Sequence, residues 1–177
     1  MDTETVYMSE AVETDLKALA ETSYPFETGG ILLGVVRDDL PWVTHVVEVT
    51  DLGRTRTAFE IPYGVTPAVV EIMRSSDRRL GYLGDWHSHP GDIGPSPKDR
   101  GTLRRDGRRV KPEQLRSLLA VVRLTGDGWR IEMLADDGLS ARRVSVIVTG
   151  TLGRTFRDEP VAPQVNPSGR LPLSTKR

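Results

Sequence analysis

The stretch Leu80-Gly81-Tyr82-Leu83-Gly84-Asp85-Trp86-His87-Ser88-His89-Pro90 reads as a buried β-strand that ends in two histidines. Apolar, aromatic and small residues fill it, and Pro90 closes it. Side chains two apart on a strand share a face, so both imidazoles can reach one ion. On a helix the same spacing would aim them about 200° apart. The alternation sends Trp86 and Ser88 to the opposite face, where Trp86 can enter a core. The chain has only 3 histidines in 177 residues, so this pair is the first candidate for metal ligation. Taken alone, His-x-His is equally compatible with two polar residues at a strand end.

Downstream lies Pro95-Ser96-Pro97-Lys98-Asp99. Ser96 suits a helix N-cap, Pro97 the first turn, and Asp99 the third position of a capping box. The same geometry would fix the Asp99 carboxylate beside the strand end, where it can serve as a third ligand. Two neutral imidazoles and a carboxylate leave a fourth zinc position open to water, as in catalytic sites. Upstream, Glu27-Thr28-Gly29-Gly30 reads by itself as a surface acid followed by a turn.

The flanks describe one mixed domain. Ser9 to about Thr22 is expected to be helical, with Ser9 as N-cap and Val12, Leu16 and Leu19 on one face. Strands are expected at Ile31–Val36 and Trp42–Thr50, with Asp38-Asp39-Leu40-Pro41 as the turn between them, and a third at Thr57–Ile61. A second helix is expected from Pro67, as its first residue, to about Arg78. Leu118–Leu124, Trp129–Leu134 and Arg142–Val148 are the later strands. No regular βαβ repeat is present, so an α+β (mixed α/β) domain around one sheet is expected over residues 1–150. Beyond Gly150 periodicity fades, and Pro160, Pro163, Pro167 and Pro172 punctuate a polar stretch read as a flexible tail, 151–177.

Composition narrows the chemistry. With no cysteine, the chain has no disulfide, no thiolate metal site and no cysteine nucleophile, so any metal must be held by nitrogen and oxygen. A formal net charge of -1 gives no overall attraction to nucleic acid or anionic membrane. The N-terminus lacks the basic and apolar regions of a signal peptide, and no apolar run approaches the ~20 residues that span a bilayer, so a cytoplasmic protein is expected. Lys98, Arg100, Arg104, Arg105, Arg108, Arg109, Lys111 and Arg116 form a basic cluster past the histidines, offset partly by Asp99, Asp106 and Glu113. It reads as a solvated helix face; its functional alternative is docking an acidic carrier surface or phosphates.

Glu27-Thr28-Gly29-Gly30-Ile31-Leu32-Leu33-Gly34, His87-Ser88-His89-Pro90 and Pro95-Ser96-Pro97-Lys98-Asp99 together resemble the JAMM (MPN-plus) metalloprotease signature, an upstream Glu, a His-x-His and a Ser-x-x-Asp. The resemblance covers roughly residues 9–135. It implies an MPN-type central mixed sheet flanked by helices, with one Zn2+ per chain on His87, His89 and Asp99. It further implies Glu27 as general acid/base and Ser96 as a donor to the developing oxyanion. The implied reaction is hydrolysis of an isopeptide or peptide bond after the C-terminal tail of a ubiquitin-like protein. Trimming of a small sulfur-carrier protein and a catalytically inactive MPN scaffold are the alternatives. The implied partner is a ubiquitin-like protein or its conjugate, with neither membrane nor nucleic acid expected. One departure stands out: family members usually place the Asp eleven residues after the second His, whereas Asp99 lies ten after His89. The missing residue falls in Gly91-Asp92-Ile93-Gly94, which makes Asp92 a rival third ligand.

Overall fold

Among the described residues of the computed structural model, strand-forming runs alternate with three helices. In chain order the elements are β1 (Thr5–Ser9), α1 (Glu10–Ser23), β2 (Gly29–Arg37), β3 (Leu40–Val49), α2 (Val65–Ser76), β4 (Gly81–His89), α3 (Pro97–Gly107), β5 (Ser117–Thr125), β6 (Gly128–Asp136), β7 (Ala141–Arg143) and β8 (Ser145–Thr149). The structure describes residues 5–49, 55–107, 117–136 and 140–150. The tail read over 151–177, and Arg108, Arg109, Lys111 and Arg116 of the basic cluster, lie outside the described residues.

Among the described residues eight strands form one sheet in the order β7-β6-β5-β4-β2-β3-β1-β8. It is mixed, as expected: β1 runs parallel to β3 and β8, and β4 parallel to β5, while the other pairs are antiparallel. The two edge strands are separated in sequence by Val144 alone. Two peptide units span only about 7 Å, so the sheet must curl until its edges approach. The Val144 amide donates to the Met133 carbonyl at 3.1 Å where the chain changes edge. The expected single strand Arg142–Val148 is therefore two short strands on opposite edges.

Each sheet face is covered because alternation gives it an apolar set. On one face Val12, Leu16 and Ala20 of α1 pack with Met8, Leu32, Trp86, Leu118, Ala120 and Met133. On the other, Ile31, Leu33 and Val69 gather under α2, and Leu103 of α3 packs on Leu119, Val121 and Leu134. Ser9 caps α1 by accepting the Val12 amide at 3.3 Å.

Three further expectations need correction. Thr57–Ile61 is not a strand; Phe59 and Ile61 instead pack into the α2 cluster. Both sides of β2 and β3 are already paired, so no neighbouring edge is free for it. Helix α2 starts at Val65 after Gly64 (φ 83°), which puts Pro67 third rather than first; the first-turn amides lack helical partners, so the proline is tolerated there. Leu40 and Pro41 belong to β3, not to the turn, because Asp38 (φ 52°) and Asp39 (φ 61°) close a two-residue hairpin of the I′ kind. Among the described residues no helix is long and apolar enough to cross a membrane.

Gly84 brings β4 close to β5: a Cβ there would stand 2.0 Å from the Leu118 carbonyl oxygen. Because the obstruction is backbone, Gly84→Ala is expected to lower unfolding free energy by about 1–3 kcal/mol in urea denaturation. Unchanged stability would contradict this strand spacing.

Candidate metal centre

Alternation along β4 places Trp86, fully buried, in the α1 core and turns His87 and His89 to the face that carries α2 and α3. Their Nε2 atoms face each other at 3.0 Å. Asp99 meets both from the first turn of α3, with Oδ1 3.4 Å from His87 Nε2 and Oδ2 3.7 Å from His89 Nε2. Asp99 is held there by a reciprocal capping box: the Ser96 amide donates to Asp99 Oδ2 at 2.6 Å, and the Asp99 amide donates to Ser96 Oγ at 3.2 Å. The cap and the presentation of the carboxylate are thus one motif.

The short segment before β2 carries Glu27 to the same spot. Thr28 grips β4 twice: its carbonyl accepts the Ser88 amide at 2.7 Å, and its amide donates to Ser88 Oγ at 3.0 Å. Its hydroxyl donates to Glu48 Oε1 at 2.5 Å, and the Glu27 amide donates to the Thr55 carbonyl at 2.8 Å. Gly29 pairs with His87 and leaves room for Phe59, whose ring would lie 2.5 Å from a Cβ at that position. Glu27 is buried, with Oε1 3.9 Å from His89 Nε2.

The carboxyls have opposite electrostatics. Burial pushes Glu27 up to about 7; His89 opposes the rise, the Asp99 charge adds to it, and Lys98 opposes it. Burial also favours the neutral form of Asp99, but the His87 hydrogen bond and charge, with the Ser96 hydroxyl and amide, hold its carboxyl well below the usual range. One acid therefore stays anionic near neutrality while its neighbour can trade a proton, the division of labour seen where two carboxyls have separate roles.

His89 is held by its Nδ1 side. Its Nδ1 lies 2.7 Å from the Ile93 carbonyl oxygen, which can only accept, so Nδ1 carries a ring proton and Nε2 is the atom turned to His87 and Asp99. Donor atoms of His87, His89 and Asp99 all lie within 4.8 Å of one another. Ligands held ~2.0–2.1 Å from a tetrahedral ion stand about 3.3 Å apart, close to the spacings here. Two imidazoles and an anionic carboxylate therefore fit a divalent ion of nitrogen and oxygen preference, with one position left for solvent.

Asp92, the rival ligand, is turned away to Arg123. Lys98 pairs loosely with Glu60 at 3.4 Å, and Lys98, Arg104 and Arg105 lie exposed along α3. Sequence reasoning missed the Ile93 carbonyl, Ser88 and Thr28; the polar side chains of Thr28 and Ser88 beside the marked residues were a signal for those two, and nothing signalled the carbonyl.

Residues 9–149 match the family of prokaryotic homologs of the JAB domain. Two relatives are named "CD-NTase/cGAS isopeptidase". One, from Escherichia coli (strain TW11681), is 36% identical over 54% of this chain and 62% of its own length. The match thus spans less than two thirds of that relative. The other, from Pseudomonas aeruginosa (strain BWHPSA011 / Pa011), is 28% identical over 66% of this chain and 74% of its own. A solution structure of a protein from Desulfitobacterium hafniense shares the fold, with a TM-score of 0.64 and 19% identity over 81% of this chain and 92% of that one.

Substitution is expected to separate the two carboxylates. Asp99→Asn is expected to lose a stoichiometric divalent ion during gel filtration, since a neutral amide replaces an anionic donor. Asp92→Asn is expected to retain it, and the reverse pattern would put Asp92 on the ion.

Proposed function

The chain belongs to the family of prokaryotic homologs of the JAB domain, and from that premise we propose that it is a zinc-dependent isopeptidase. Its reaction would be hydrolysis of the bond between the C-terminal tail of a ubiquitin-like protein and an amine of a conjugated target. The observation that carries this reading is the meeting of a buried Glu27, its carboxyl raised to about 7, with the His87, His89 and Asp99 cluster. The name shared by the two relatives makes a CD-NTase-linked conjugate the first substrate to offer.

In this reading His87, His89 and Asp99 hold the zinc. Zinc bound there would supply Lewis acidity and make water more acidic, to a pKa of about 7. Glu27 takes the proton of the attacking water and returns it to the leaving amine as the carbon–nitrogen bond breaks, giving a carboxylate and a free amine. A carboxyl raised to about 7 suits both directions of that transfer at neutral pH. The Ser96 hydroxyl can turn from Asp99 to donate to the developing oxyanion, while its backbone amide keeps Asp99 in place. The two hydrogen bonds between Thr28 and Ser88 hold Glu27 beside His89.

Glu27→Gln is nearly isosteric but cannot accept a proton. It is expected to keep zinc and the thermal midpoint while losing hydrolysis of an isopeptide-linked conjugate by about a hundred- to ten-thousandfold. A rate close to wild type would remove Glu27 from the chemistry. Ser96→Ala should cost about 3 kcal/mol of transition-state stabilisation, read in kcat, if its hydroxyl faces the oxyanion; an effect confined to thermal stability would leave it as a helix cap only.

A further inference from the structure

Behind His89 stands an ionic cluster that no catalytic role absorbs. Arg123 of β5 is the register partner of His89 on β4. Its guanidinium donates to Asp92 in the turn 91–94, and its Nε lies 3.7 Å from Glu132 Oε2 on β6. Glu132 is nearly buried and also binds Arg143 of β7. Gly94 faces the same carboxylate with room to spare: a Cβ added there would still stand 3.5 Å from Glu132 Oε2. The turn is therefore anchored at Asp92, next to Ile93. Ile93 is the residue whose carbonyl receives the His89 Nδ1 proton, and its own side chain is exposed, so apolar packing does not hold it.

We propose that Arg123 is a positioning residue for the metal centre: by clamping the short turn through Asp92, with Glu132 as its backing, it sets the Ile93 carbonyl that orients His89. The inference rests on the zinc reading above. Without the clamp, a turn of Gly91-Asp92-Ile93-Gly94 has no buried side chain to fix its path. The Ile93 carbonyl would then sample positions out of reach of Nδ1, freeing the His89 ring to rotate and to move its proton to Nε2. Partners one step behind a ligand typically change metal affinity by about ten- to a hundredfold when removed. The clamp also gives a physical use to the loop that is one residue shorter than the family pattern, since a short turn can be held by a single ion pair.

The test uses the zinc-loaded full chain with three variants, Arg123→Ala, Asp92→Ala and Asp92→Asn. Zinc affinity is read by competition with a chromophoric chelator, and solvent exchange of the His89 Nδ1 proton by NMR. Asp92 is exposed, so Asp92→Ala should fold even if Arg123→Ala does not. Both alanine variants are expected to bind zinc about ten- to a hundredfold more weakly and to exchange the Nδ1 proton at least about tenfold faster. Asp92→Asn keeps an oxygen toward Arg123 and should remain within about threefold of wild type in both readouts. Wild-type values in both alanine variants, or a loss confined to one of them, would overturn the proposal. A wild-type chain that takes up no zinc would instead remove the metal reading, and the proton exchange rates would still decide whether the clamp exists.

Discussion

Two hydrogen bonds between Thr28 and Ser88 tie the segment before β2 to the end of β4, and the remaining site geometry depends on that seam. They join residues 60 positions apart in sequence, and each lies next to a marked side chain: Glu27 precedes Thr28, while His87 and His89 flank Ser88. Because strand side chains alternate, Ser88 can face the seam only if both histidines face the other way. The seam therefore sets the distance from carboxylate to imidazole and also keeps Glu27 partly away from water, which raises its pKa.

The third side of the site uses a different physical device. Asp99 is held by the reciprocal cap of α3, and α3 is held by the packing of Leu103 on β5 and β6. A strand end and a helix start, each rigid, thus converge on one point with loops left only the task of closing gaps. Such placement on regular elements gives tighter geometry than placement on loops. The exception is the turn 91–94, and it is there that the Arg123, Asp92 and Glu132 charges gather.

Much of this was legible in the residues. The period-two reading of Leu80–His89 placed both histidines on one face and Trp86 in the core, and Ser96-Pro97-Lys98-Asp99 announced both the helix start and the carboxylate it presents. Other features depended on partners far along the chain. Thr57–Ile61 has strand-like residues, yet β2 and β3 are paired on both sides and leave it no edge. β1 escaped notice because its short run Thr5–Ser9 pairs with β3 and β8, the latter more than 130 residues away, a match that no local pattern encodes. The split of Arg142–Val148 at Val144 follows from curling of the whole sheet. The Ile93 carbonyl could not be read at all, since every residue carries one and only the path of the turn aims it.

The most direct measurement is the metal content of the purified protein and of its His87→Ala and His89→Ala variants, by elemental analysis alongside conjugate cleavage. One zinc per chain is predicted for the wild type, with loss of both metal and cleavage in each variant. A metal-free wild type that folds normally and cleaves at its full rate would contradict a zinc centre on His87, His89 and Asp99.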